Sequence, residues 1–137
     1  MKTHPYLRAY MAGITMPTIF LILAMTVFTI ARYVYDVPIP IERFIVFPLV
    51  IVPNLWGIWN IVYILLRSHH YLPIGFHGAI LAFVQASLLF GITRLLNFEI
   101  PAFVASVFPI GFPLVVIVFY LVWKHAVGFF NALLGVE

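Results

Sequence analysis

The sequence has no cysteine and few charged residues, and both features exclude certain classes of protein. The lack of cysteine excludes disulfides, thiolate metal sites and cysteine nucleophiles. Charged residues make up only 8% of the 137 positions, whereas a soluble protein has about 25%. The seven basic and four acidic side chains are scattered singly, so no charged block is available to follow a phosphate backbone. We therefore expect no nucleic-acid partner.

Signatures of catalysis are missing as well. The chain contains neither a G-x-S-x-G motif nor a glycine-rich phosphate loop. Its acidic residues lie at the ends of apolar segments or at the C-terminus, and a proton-coupled carrier usually keeps an ionisable group inside the membrane. We predict that the protein is not an enzyme, and the sequence requires no cofactor.

Long apolar runs dominate what is present. Hydrophobic residues make up 65% of the chain, and the mean hydropathy is +1.16. A helix crosses a bilayer with about 20 residues, and the runs lack the alternation of a membrane β-barrel. The sequence predicts an all-α polytopic membrane protein, a single transmembrane domain over residues 1–137. Its four expected spans cover about 10–33, 43–66, 73–96 and 101–123, followed by a short amphipathic or interfacial tail over 124–137.

The basic residues near the ends of the spans predict the orientation. Cytoplasmic segments carry an excess of lysine and arginine. With a cytoplasmic N-terminus, the inner side holds Lys2, Arg8, Arg67 and Lys124. The outer side then holds Arg32, Arg43 and Arg94. We therefore expect both termini in the cytoplasm and a bacterial-type inner membrane.

The chain contains two similar halves. The stretch from Arg32 to Pro38 resembles the stretch from Arg94 to Pro101, and a Val-Phe-Pro triplet follows each, at 46–48 and at 107–109. This pattern indicates two tandem helical hairpins related by an internal repeat of parallel orientation. The alternative is that proline and acidic residues recur at helix boundaries for capping reasons alone.

Polar residues inside the apolar segments are the candidates for a binding site. Pro48 and Pro53 should kink the second span, because proline lacks an N–H and crowds the preceding turn. Asn54 is expected to form a hydrogen bond with one of the backbone groups that the prolines leave without a partner. The hypothesised ligand-binding residues are Asn54, Trp56, Trp59, Asn60, Tyr63 and Gln85. The alternative is that they form a packed core.

The stretch "PNLWGIWNIVY" over residues 53–63 resembles the proline-rich and tryptophan-rich segment of the tryptophan-rich sensory protein family. Members of that family bind porphyrins and sterols, so the resemblance implies an apolar ligand. It covers about a dozen residues of one span. The family has more spans and many more tryptophans, and no binding residue is carried over.

Two rows of residues indicate helix packing. One side of the first span carries Thr15, Thr18, Thr26 and Thr29, which indicates a packing face or, alternatively, a hydrated groove. One side of the third span carries the small residues Gly75, Ala79, Ala82 and Ala86. Such a ridge lets another helix approach closely.

All five histidines lie toward one predicted surface. If they bind haem or a metal, the candidate ligands are His70, His77 and His125. The sequence has no H-x-x-x-H or H-E-x-x-H pair. Contact with lipid headgroups is therefore the favoured alternative.

Two functions follow from these patterns. The favoured one is a non-catalytic membrane subunit or scaffold that acts through helix–helix contacts. Its expected partners are the lipid bilayer and either copies of itself or a larger membrane complex. The alternative is a small transporter, channel or apolar-ligand-binding protein whose site lies at the proline-containing second and fourth spans.

Overall fold

A computed structural model describes residues 4–136 of the chain. This part of the chain is helical and contains no strand. Four of its helices are long and apolar enough to cross a membrane. The predicted all-α class with four membrane helices is confirmed.

The four long helices are α1 (Pro5–Val34), α2 (Ile41–Leu66), α3 (Ile74–Leu95) and α4 (Ala102–Leu133). Two of them change their hydrogen-bonding pattern along their length. In α2, a π-helical segment, Ile45–Ile51, separates α-helical Ile41–Phe44 from α-helical Val52–Leu66. In α4, a π-helical segment, Trp123–Val127, separates α-helical Ala102–Val122 from α-helical Gly128–Leu133.

The fourth helix is longer than the sequence predicts. It ends at Leu133 rather than at about 123, so most of the expected interfacial tail is a continuation of α4. Trp123, Val127 and Asn131 are all buried and lie four residues apart, which places them on one face of the helix. With 32 residues, α4 is about 48 Å long, whereas the hydrocarbon core of a bilayer is about 30 Å thick.

The prolines of α2 coincide with the irregular backbone. Pro48 lies inside the π-helical segment, and Pro53 lies in the first turn of the α-helical part that follows. Because proline has no N–H, one hydrogen bond of the α-helical pattern is missing at Pro48. The backbone around Pro48 is irregular, as the sequence predicts, and the irregular stretch is π-helical. In α4, by contrast, Pro109 and Pro113 lie inside an α-helical stretch.

Two helices end at a residue in the left-handed conformation that is not glycine. Asp36 follows α1 with φ of 54°, and Asn97 follows α3 with φ of 51°. At Asn97 the chain closes as a Schellman motif, in which the N–H groups of Asn97 and Phe98 donate to the carbonyls of Arg94 and Thr93. Asp and Asn adopt this conformation more readily than other side chains.

The described residues form two compact units, 4–64 with 130–136 and 65–129. In the first, α1 packs on α2, and residues 130–136 join them. In the second, α3 packs on α4 through aromatic pairs. The three edge-to-face pairs, with ring centroids 5.0 to 5.3 Å apart, are Phe76 with Tyr120, Phe83 with Phe112, and Phe90 with Phe108. As the residue numbers in α3 increase, those of their partners in α4 decrease. The two helices are therefore antiparallel.

Candidate functional site

Two helices of the first unit approach each other closely where Gly13 of α1 meets Gly57 of α2. A Cβ atom built on Gly13 would lie 2.6 Å from the carbonyl oxygen of Trp56 and 2.9 Å from the Cα of Gly57. Ala9 and Ala12 beside it are fully buried. Small residues allow two backbones in a membrane to approach this closely. The spacing of Ala9 and Gly13 is the sequence signal for this contact, and neither residue is among the predicted packing residues.

This close approach brings the side chain of Asn60 to the backbone of α1. Asn60 is fully buried, and its Nδ2 donates to the carbonyl oxygen of Ala9 at 2.7 Å. The same nitrogen donates to Oδ1 of Asn131 at 2.7 Å, and Nδ2 of Asn131 donates back to Oδ1 of Asn60 at 3.1 Å. Three segments that are distant in sequence therefore meet at one amide pair.

The bonds of Asn60 decide what this residue can do chemically. A carboxamide has two N–H donors and one oxygen acceptor. Both donors of Asn60 are engaged, and its oxygen accepts from Asn131. Asn60 has no donor left for a ligand. Its role in the described structure is to join helices.

The residues after Asn131 form a complete helix cap. Gly135 has φ of 63°, and its N–H donates to the carbonyl of Ala132 at 3.1 Å. The N–H of Val136 donates to the carbonyl of Asn131 at 2.9 Å, and the Val136 side chain is buried. This is a Schellman motif with its usual apolar residue after the glycine. It ends α4 where Asn131 meets Asn60.

Arg8 of α1 also contacts the end of α4. Its Nη1 donates to the carbonyl oxygen of Leu134 at 3.4 Å. The last carbonyl groups of a helix carry partial negative charge, so a guanidinium at this position is favourable. Arg8, Asn60 and Asn131 together define what we call the tail-docking site.

Asn54 makes a second polar contact between α1 and α2. The hydroxyl of Tyr10 donates to Oδ1 of Asn54. Nδ2 of Asn54 donates at 2.7 Å to the carbonyl of Val50, which lies in the π-helical segment. Asn54 thus binds a backbone group of the irregular stretch, as the sequence suggested. Its side chain is nevertheless exposed.

The other hypothesised ligand residues differ in burial. Trp56 and Tyr63 are buried in the first unit, and Trp59 is half-buried there. Gln85 is half-buried and belongs to the second unit. The first unit therefore contains all members of the proposed ligand set except Gln85.

The threonine row of α1 bonds largely to its own helix. The hydroxyls of Thr15, Thr26 and Thr29 each donate to the carbonyl four residues earlier, at 2.7 to 2.8 Å. Thr18 is half-buried. A hydroxyl bonded in this way satisfies its donor locally and does not need a neighbouring helix.

The small-residue ridge of α3 is partly buried. Gly75 and Ala82 are buried, whereas Ala79 and Ala86 are half-buried. A Cβ atom on Gly75 would lie 2.7 Å from the ring of Tyr120. Gly78, which the sequence analysis did not include, lies even closer to α4. A Cβ atom there would be 2.5 Å from the carbonyl oxygen of Phe119.

The three candidate histidine ligands have different environments. His77 is buried, whereas His70 and His125 are exposed. Within residues 4–136, no group of three or more His, Cys, Asp or Glu side chains is placed to hold a metal ion.

One ion pair joins α1 to α2 near the first loop. Nη1 of Arg32 lies 2.7 Å from Oε1 of Glu42. The guanidinium also lies 5.5 Å from the ring centroid of Tyr33.

No protein-family model, curated protein or solved structure matches the chain. The resemblance to tryptophan-rich sensory proteins therefore depends on residues 53–63 alone.

Proposed function

We propose that this protein is a non-catalytic integral membrane subunit or scaffold that acts through helix–helix contacts. The observation that carries the proposal is the use of Asn60. This residue is one of the hypothesised ligand contacts of the second span, yet both of its donors bind groups of the chain itself. The polar groups of Asn60 thus bind other helical segments of the chain.

The surface of α4 supports the same proposal. None of the residues from Ala102 to Val122 is buried. Large apolar side chains such as Phe103, Ile110 and Leu114 are exposed. In a bilayer, such a surface is available to lipid and to the helices of another chain.

The proposal includes a location and an orientation. We place the chain in a bacterial-type inner membrane with both termini in the cytoplasm. The four apolar helices support a membrane location. The distribution of lysine and arginine supports the orientation.

We also propose that the two halves are an internal repeat. The helix bounds on the two sides of the loop lie at the same offset in both halves. α1 ends at Val34 and α3 at Leu95, and α2 begins at Ile41 and α4 at Ala102. The left-handed residues that follow the first helix of each half are Asp36 and Asn97. Capping alone does not require these three pairs of positions to share one spacing.

The second candidate function is a small transporter, channel or apolar-ligand-binding protein. The observation in its favour is the π-helical segment Ile45–Ile51, because such segments often occur at functional sites. Against it, the Val50 carbonyl in this segment already accepts from Asn54. The first proposal therefore has the stronger support.

Native mass spectrometry of the protein, purified gently from its own membranes, tests the two candidates. An absorbance spectrum of the same sample reports any haem or other chromophore. For a subunit or scaffold, we expect further polypeptide mass, either other copies or another chain, and no bound small molecule. A single chain with a bound small mass or a haem band would overturn the proposal in favour of ligand binding.

A further inference from the structure

Asn54 presents a polar side chain at the middle of a membrane helix. The helix α2 runs from Ile41 to Leu66, so Asn54 lies close to its centre. The side chain is exposed in the isolated chain. A bilayer core offers no water, and each unsatisfied polar group there costs several kcal/mol. A hydrogen-bonding partner for this surface would remove that cost.

The bonds that Asn54 makes leave part of its capacity unused. A carboxamide has two N–H donors and an oxygen with two lone pairs. The oxygen accepts from the Tyr10 hydroxyl, and one N–H donates to the Val50 carbonyl. Within residues 4–136, no further group bonds to this side chain. One donor and one acceptor position therefore remain on the same amide.

The unused donor and the unused acceptor position of Asn54 can pair with the same two groups on a second copy. We infer that Asn54 is the centre of a twofold contact between two copies of this chain. Each Asn54 donates its second N–H to Oδ1 of the other copy, so both remaining positions are filled at once. A twofold contact of this kind uses the same residues on both subunits. The inference depends on the proposed function and deepens it, because it names a second copy as the partner.

The chain already joins helices with the same kind of bond. Asn60 and Asn131 form a reciprocal amide pair with distances of 2.7 and 3.1 Å. Asparagine side chains also link helices across an interface in other membrane proteins. Lipid chains offer no hydrogen bonds, whereas a second copy supplies a donor and an acceptor at the same depth.

The neighbours of Asn54 leave room for such a contact. Val50 and Ile58 lie four residues before and after Asn54, and both side chains are exposed. Residues at this spacing share one side of a helix. We call Val50, Asn54 and Ile58 the Asn54 face. It has a polar centre between two apolar residues.

Cysteine cross-linking of the full-length chain tests the contact. The natural sequence has no cysteine, so one substitution introduces the only thiol. Ile58→Cys lies on the Asn54 face, and Ile117→Cys on α4 is the matched control, because the two isoleucines are 54% and 55% exposed. Under mild oxidation in membranes, we expect a disulfide-linked dimer from Ile58→Cys and none from Ile117→Cys.

A second substitution separates the amide contact from chance proximity. Adding Asn54→Leu to the Ile58→Cys chain should lower the cross-linked fraction about tenfold, since two interhelical hydrogen bonds are lost. Tyr10→Phe in the same background is the control. It removes the bond inside the chain but leaves the remaining donor of Asn54 in place, so cross-linking should persist.

The outcomes distinguish this inference from the proposed function. Absence of the Ile58→Cys dimer, together with another polypeptide in the native mass spectrum, would overturn the inference and leave the subunit role standing. Equal cross-linking with and without Asn54→Leu would also overturn it. A lone chain in both experiments would overturn the inference and the proposed function together.

Discussion

Asn60 and Asn131 form a reciprocal, fully buried amide pair although 71 positions separate them in the chain. The pair ties the end of α4 to the second half of α2. Because Asn60 also donates to the carbonyl of Ala9, the same residue ties α2 to α1. One side chain thus joins three helical segments, and this makes the tail-docking site sensitive to substitution.

The first prediction concerns this pair. Asn131→Leu removes the partner of Asn60 and leaves a buried amide with an unmet donor and acceptor. We expect a loss of about 1–2 kcal/mol in the free energy of unfolding. Tryptophan fluorescence during denaturation in mixed micelles measures it. Leu133→Ala, at an exposed position in the same turn, is the control and should have a much smaller effect.

A double-mutant cycle makes this prediction specific. Asn60→Leu and Asn131→Leu break the same pair of bonds. The double variant should therefore lose less stability than the sum of the two single variants. Strictly additive losses would show that the two amides do not act as a unit.

The sequence was sufficient to predict the four spans because bilayer thickness sets a minimum apolar length. It was not sufficient to end α4 correctly. Residues 124–133 are apolar enough for an interface, and Asn131 within them bonds to Asn60, 71 positions earlier in the chain. A long-range partner of this kind leaves no local signal, and only Gly135 marks the end of the helix.

The candidate site was also predictable only in part, because it too depends on contacts between residues that are distant in sequence. Asn54 and Asn60 stand out in an apolar run, so the sequence indicated that both need partners. Which partner each finds depends on how α1 lies against α2. The small residues Ala9 and Gly13 lie at that contact, and their spacing is a readable signal in the sequence.

The second prediction concerns the close contact of α1 and α2. Gly13→Ala places a methyl group 2.6 Å from the Trp56 carbonyl oxygen, which is backbone and cannot rotate away. We expect a loss of about 1–3 kcal/mol through overpacking. Gly91→Ala is the matched control, since no atom lies within 4 Å of its added methyl group. In thermal unfolding, only Gly13→Ala should have a lower midpoint temperature than the unsubstituted protein. An unchanged midpoint for Gly13→Ala would argue against the backbone contact.

The third prediction concerns orientation. Tyr35 follows α1 and Tyr71 precedes α3, and both are well exposed, at 73% and 81%. Single cysteines at these positions report the two sides of the membrane. If the N-terminus is cytoplasmic, a membrane-impermeant maleimide should label Tyr35→Cys in intact cells. It should label Tyr71→Cys only after permeabilisation, and the opposite pattern would reverse the proposed orientation.

The fourth prediction concerns the cap at the end of α4. Gly135 has φ of 63°, which costs about 1 kcal/mol or more for a residue with a Cβ atom. Gly135→Ala should therefore weaken the Schellman motif, which lies beside the Arg8 contact. Amide hydrogen exchange over residues 131–136 should become faster. Gly128→Ala is the matched control, because Gly128 is helical and its added methyl group has only ordinary contacts. Equal exchange in the two variants would mean that the amide pair, rather than the cap, holds the tail in place.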